Sequence, residues 1–191
     1  MPNQQQIYFT SDLHFHHHKI CGFTNRPYYS TEEMNEALIN NWNAVVNEKD
    51  IVWNLGDFSF GNIKDTESVL RRLNGQHNMV LGNHDGIIVS NKARLLQGKL
   101  LNSIQDYKEI KVEDHKIVLC HYSFRVWNKS HSGSWHCYGH SHGTLPPHGL
   151  SLDVGVDCKE ITSEYRPISF DELKSFMFKR SVSVIDQHGS K

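Results

Sequence analysis

The chain has 191 residues, enough for one well-packed domain and few for two, and its 38% apolar and 10% aromatic content excludes a disordered chain. A formal net charge of −1 gives no overall attraction to nucleic acid or to an anionic membrane surface. No run approaches the roughly eighteen consecutive apolar residues that span a bilayer.

Ile7 to Thr10 is a short β-prone run that ends at Ser11-Asp12. Ser30, with Glu33 three places on, is a capping-box signal. It opens a helix in which Met34, Leu38, Trp42, Val45 and Val46 recur at helical spacing, so one face is buried. Ile51 to Leu55 is a second compact apolar strand, followed by Gly56-Asp57. Thr66 to Leu73 reads as a helix closed by Asn74-Gly75, and Met79 to Leu81 as a third strand running into Gly82-Asn83-His84-Asp85. Glu109 to Val112 and Lys116 to Cys120 form a hairpin across Glu113-Asp114, and the second arm ends at His121. Trp135 to Tyr138 leads into Gly139-His140-Ser141-His142, and Ser151 to Val154 is a last core strand. Ser169 with Glu172 opens a C-terminal helix, with Ile168 against Leu173 as a hydrophobic staple. The whole chain, 1–191, reads as a single domain whose segment after Arg180, 181–191, is a loose tail.

Five of these apolar runs stop at a cluster of Asp, His or Asn, mostly beside a glycine. In sheets with crossover helices, ligands bind outside the carboxyl ends of the strands, so the clusters are expected to converge at one edge. The residues collected there are Asp12, His14, Asp57, Asn83, His121, His140 and His142. Asp12-x-His14 and His140-x-His142 each place two side chains on one face of an extended segment. Glycine before Asp57, Asn83 and His140 lets the backbone turn and bring a short side chain close to an ion. Fourteen histidines in the chain raise the expectation of a metal site further.

Four imidazoles, two carboxylates and one amide oxygen, without a thiolate, suit Mn, Fe, Zn, Ni or Co and disfavour a cysteine-type structural zinc. Seven ligands exceed one tetrahedral ion and suffice for two if a carboxylate bridges. Two divalent ions carry about +4; two aspartates and a shared hydroxide leave a charge near +1, which favours an anionic phosphate. The expected cofactor is therefore two divalent ions, manganese first, with Fe, Zn, Ni, Co or Mg as alternatives. The expected reaction is direct attack of a hydroxide held between them on phosphorus.

Asp12-x-His14, Gly56-Asp57, Gly82-Asn83-His84-Asp85, the isolated His121 and Gly139-His140-x-His142 stand in an order that resembles the calcineurin-like metallophosphoesterases, in their small bacterial or phage-type branch. The resemblance spans Asp12 to His142 and implies an α/β (α+β) fold, a sandwich of two mixed β-sheets flanked by helices. It also implies that Asp12, His14, Asp57 and His142 hold one metal. Asp57, Asn83, His121 and His140 would hold the second, with Asp57 as the bridge. His84 would stabilise the transition state or protonate the leaving oxygen, oriented by Asp85. Phe15 after His14 departs from the glycine common in the family, and its ring is expected to narrow the mouth of the site.

Other residues carry plainer readings. His16, His17 and His18 begin a helix or loop beside the pocket, while His77, His115, His131, His136, His148 and His188 read as surface residues. Arg26 and Arg125 are candidate phosphate ligands, each with a structural salt bridge as its alternative. Trp127 and Trp135 read as packing residues, and Asp153 and Asp157 as groups that orient a ligand histidine or close a loop. Cys21, Cys120, Cys137 and Cys158 form no C-x-x-C pair and read as reduced small hydrophobes. Met1 to Gln6 lacks the basic-then-apolar order of a secretion signal. A cytoplasmic hydrolase of a phosphomonoester or phosphodiester is expected, its partner a phosphate ester such as a nucleotide, with no membrane and no stable nucleic-acid partner. The rival readings are a hydrolase of the PHP or amidohydrolase type, built on a barrel, and a non-catalytic scaffold of the phosphoesterase fold.

Overall fold

The structure is a computed structural model and describes residues 5–146 and 148–186. The chain begins with β1 (Ile7–Thr10), α1 (Ile20–Thr24), α2 (Thr31–Val45), β2 (Ile51–Asn54), α3 (Ile63–Arg72) and β3 (Gln76–Val80). It continues through α4 (Gly86–Ser90), α5 (Lys92–Gln97), β4 (Ser103–Gln105), β5 (Tyr107–Val112) and β6 (His115–Cys120). A 3-10 turn at Ser130–Ser132 precedes β7 (Trp135–Tyr138), β8 (Ser151–Asp153), β9 (Ile168–Ser169) and α6 (Phe170–Met177).

The strands form two sheets, ordered β4-β3-β2-β1-β9 and β5-β6-β7-β8. In the first, β1 to β4 are parallel and β9 lies antiparallel to β1. In the second, β5 is antiparallel to β6, and β6, β7 and β8 are parallel. Both sheets are mixed and open, so the barrel architecture of the rival hydrolases is ruled out. Neighbouring residues along each strand of the first sheet serve opposite cores, as the two-residue period of a strand requires. Tyr8, Val52 and Met79 meet α2, α3 and α5 through Leu38, Trp42, Leu70 and Leu95. Phe9, Trp53 and Val80 face Ile117, Leu119, Cys137 and Leu152 of the second sheet and Leu173 of α6. Each such large side chain withdrawn from water contributes about 1.5–3 kcal/mol before conformational entropy is counted.

The helix starts follow local capping chemistry. Ser30 accepts the Glu33 amide at 3.0 Å to open α2, and Ser169 with Glu172 closes a capping box on α6. α3 begins three residues earlier than its apolar pattern indicates, because Asn62 and Asp65 make a capping box there. Gly75, at φ +108°, turns the chain into β3, where a Cβ would press on Val46 and Val52 at 3.0 and 3.1 Å.

Three expectations are corrected. Phe15 does not narrow any mouth: it is fully buried and packs on Phe58 at 5.3 Å between ring centroids. His136 is a core residue rather than a surface one. Its Nδ1–H donates to the Val118 carbonyl at 3.1 Å while its Nε2 accepts the Phe124 amide at 3.0 Å. His77 is likewise buried, against the Leu73 carbonyl. Trp127 and Trp135 are packing residues, the latter with His115 stacked on it at 4.0 Å. The four cysteines are free. Among the described residues, no helix is long and apolar enough to cross a membrane. Residues 181–186 follow α6 without regular structure, and His188 with the rest of the tail lies outside the described residues.

Candidate metal centre

The loops that leave β1, β2, β3, β6 and β7 carry the seven candidate ligands to one edge of the sandwich. The first two are laced together by their backbones. The Asp12 and His14 amides donate to the Gly56 and Asp57 carbonyls, each at 3.0 Å. Ligand-bearing residues adopt left-handed backbone here: Asp12 at φ 57°, His14 at 53°, Asp57 at 55°, His140 at 67° and His142 at 46°. Asp, Asn and His tolerate that region better than most residues, and such strain, about 1–3 kcal/mol each, persists only where the surroundings enforce it. Two glycines make the close approach possible. A Cβ on Gly82 would strike the Asp57 carboxylate and sit 2.9 Å from His121 Cε1. One on Gly139 would strike the Ser11 hydroxyl and lie 2.6 Å from Asp12 Oδ2.

The side chains gather as two triads, Asp12 with His14 and His142, and Asp57 with His121 and His140; within each triad the ligand atoms lie within 4.8 Å of one another. Asp57 stands between them. Its Oδ2 lies 3.7 Å from His14 Nε2 and 3.5 Å from His121 Nε2, while its Oδ1 accepts the His84 amide at 2.9 Å. Asn83 Oδ1 lies 3.1 Å from both His121 Nε2 and His140 Nδ1.

The donor set fits cations. Both ring nitrogens of His14 are buried without a hydrogen-bond partner, a state that costs free energy unless something else coordinates them. His121 Nδ1 donates to the Leu55 carbonyl at 2.7 Å, and His142 Nδ1 meets Asp157 Oδ2 at 2.7 Å. Each bond fixes the tautomer and leaves Nε2 free to coordinate, the usual support of a metal-binding imidazole. Burial drives the His14 pKa down to about 3, so the ring is neutral near pH 7 with its lone pair available. Burial also pushes Asp12 up to about 7, which marks a carboxylate short of positive charge.

The supports differ in part from the sequence reading. Asp85 does not orient the His84 ring. Its buried carboxylate accepts the amides of Asp57, Phe58 and Gly82 at 2.9, 2.9 and 2.7 Å, which anchors the Asp57 loop. Arg26, a candidate phosphate ligand or salt-bridge residue, takes the second role: it is 4% exposed and grips both oxygens of Asp157 at 2.8 and 2.7 Å. It also donates to the Asp12 and Leu13 carbonyls at 2.6 and 2.8 Å. Arg26 and Asp157 therefore tie the loop of Asp12 to the ring of His142. They stand 131 positions apart, so no local signal joins them. Asp153 accepts Ser141 Oγ and the Gly143 amide at 2.7 and 2.8 Å, closing the His140–His142 turn. Arg125 is exposed on the loop after β6, and the cleft over the ligands is not lined by it.

That cleft has a volume of about 740 Å³, and His14, His84, His140 and His142 open into it. His84 lies 4.8 Å from Phe60 between ring centroids. His17 stacks on the same phenylalanine at 4.0 Å, whereas His16 bonds Asn35 and His18 bonds Thr31 away from the cleft. Sequence reading missed this aromatic wall. The apolar Phe60, three residues past Asp57 in a polar loop, was the available signal.

Residues 6–146 match the family model of the calcineurin-like phosphoesterase superfamily domain. An uncharacterized protein of Methanocaldococcus jannaschii, MJ1445, is 31% identical over 189 residues, covering 94% of this chain and 96% of its own. The gene 66 protein of Mycobacterium phage L5 is 38% identical over 82 residues, which span 41% of this chain and 39% of the phage protein. Among solved structures, the Aquifex aeolicus protein AQ665, of unknown function, superposes with a TM-score of 0.67 at 22% identity, over 91% of this chain and all of that one, which bears on the fold alone. With its two mixed sheets and five motif-bearing strand ends, the chain belongs to the calcineurin-like phosphoesterase superfamily.

Proposed function

We propose that this chain is a hydrolase of phosphate esters that works with two divalent metal ions, manganese being the first candidate. The observation that carries the reading is Asp57 Oδ2, placed within 3.7 Å of a histidine from each of the two triads. Asp12, His14 and His142 would hold one ion, Asn83, His121 and His140 the other, with Asp57 shared. When bound, the pair supplies Lewis-acid stabilisation of the phosphoryl oxygens and activates water near neutral pH. The protein's part is to fix the seven ligands and to place His84 at the cleft. His84 is exposed to the cleft, and its backbone amide, rather than its ring, holds Asp57. Its ring is thus free to donate a proton to the leaving oxygen.

The manganese-loaded protein should hydrolyse bis(p-nitrophenyl) phosphate or p-nitrophenyl phosphate and stop on chelation; no turnover of either ester, with metal bound, overturns the reading. His84→Ala should keep its metal and lose about 10²–10⁴ in rate, less with a good leaving group. Loss of the metals in that variant would show instead that His84 is a ligand.

A further inference from the structure

One wall of the cleft is aromatic and supplies no metal ligand itself, although Phe60 packs beside the rings of His14 and His84 at 5.4 and 4.8 Å between centroids. Phe60 lies face to face with His17, 8° from parallel. Phe23 meets His17 edge-on at 6.1 Å. Phe23 is 70% exposed and Phe60 41%, both line the cleft, and the buried Ile20 lines it with them. Joined through His17, the two phenylalanines make a contiguous apolar patch at the mouth of a site, the kind of exposed surface that marks a ligand-binding groove. The cleft is also far roomier than a phosphoryl group needs, at about 740 Å³, within the range that takes a ligand of nucleotide size. The remainder of a substrate whose phosphate sits at the triads has these rings beside it in the cleft, with Thr24, Ser141 and Thr144 as the polar part of the lining. A planar unsaturated ring gains most there, because it stacks on aromatic faces without requiring hydrogen bonds. The wall's own side chains, His17, Ile20, Phe23 and Phe60, include no carboxylate, lysine or arginine.

We propose that the wall of His17, Phe23 and Phe60 is a stacking subsite, and that the substrate is a phosphate ester carrying a planar aromatic ring, a nucleobase being the biological form. The proposal rests on the phosphoesterase reading above and adds the substrate class.

Two probes that differ only in the base test it, adenosine 5′-monophosphate and ribose 5-phosphate. As inhibitors of bis(p-nitrophenyl) phosphate hydrolysis, the first should be effective at roughly tenfold lower concentration, the scale of one stacked base. Phe23→Ala and Phe60→Ala should each shrink that ratio to about twofold. Independently of turnover, the Phe23 and Phe60 ring signals in the NMR spectrum of the zinc-loaded protein should shift with the adenine compound and not with the sugar phosphate. Equal inhibition by the two probes, with hydrolysis intact, overturns the subsite and leaves the phosphoesterase reading standing. Absence of hydrolysis together with ring-selective shifts does the reverse. Absence of both removes the two together.

Discussion

Asp157 shows how much one carboxylate can organise. Burial opposes its charge, yet Arg26 and His142 hold its pKa down to about 2, so it is ionised at any ordinary pH. It is flanked by a fully buried guanidinium and by a ring proposed to hold a metal. Asp157→Asn keeps the shape and removes the charge, leaving Arg26 buried and uncompensated. Breaking one side of a buried pair costs about 3–5 kcal/mol. Urea denaturation of the metal-free variant should show a loss of that order, and metal affinity should fall about 10–100-fold through the loosened His142. A variant as stable as the parent, with unchanged metal affinity, would mean that the Arg26–Asp157–His142 chain supports nothing.

At the scale of elements, the strand ends were the legible part. Period and punctuation alone located β1, β2, β6 and β7, and only the end of β3. That strand runs over Gln76–Val80 and not Met79 to Leu81, because Gln76, His77 and Asn78 break the apolar run. Each strand does deliver its cluster to the same edge. The capping residues of α2 and α6 were readable because a cap is a signal contained in four consecutive residues. β9 escaped notice because two residues carry no period, and it exists through its pairing of Ile168 with Phe9. The turn-like α1, α4 and α5 are five or six residues long, too short for an apolar stripe to show. What the sequence could not convey was partnership at a distance, so it leaves Arg26 open between a phosphate ligand and a structural salt bridge, and the family resemblance pairs Asp85 with His84. The structure shows the salt bridge, to Asp157, and sets Asp85 on the amides of Asp57, Phe58 and Gly82. The glycine before Asn83 was legible as a need for space, and it makes a prediction. In Gly82→Ala the new methyl group would clash with the Asp57 carboxylate and crowd the His121 ring, displacing both. The variant should fold, with circular dichroism unchanged, and bind less than half the manganese of the parent. Full metal content would show that the loops can part without cost.

For the molecule as a whole, the buried histidines set a pH profile. Burial lowers the His136 pKa to about 4 from 6.5, and its two hydrogen bonds already satisfy the neutral ring. Its contribution to stability is complete above about pH 6.5. As the pH falls from there towards 4 the unfolded chain takes up a proton that the folded core refuses, so stability declines. The loss for this one group is on the order of 3 kcal/mol by pH 4. In the metal-free protein the His136 ring resonances should remain those of a neutral imidazole down to about pH 5. A titration midpoint near 6.5 would contradict the buried, neutral assignment.

The central proposal is that seven side chains from five strand ends hold two ions that share Asp57. Low-temperature electron paramagnetic resonance of the protein saturated with manganese tests this directly, because two ions roughly 3.5–4 Å apart across a shared carboxylate are exchange-coupled. The account predicts the multiline spectrum of a coupled pair, abolished in Asp57→Asn. The six-line spectrum of isolated manganese at full loading, or a coupled pair that survives Asp57→Asn, would contradict it.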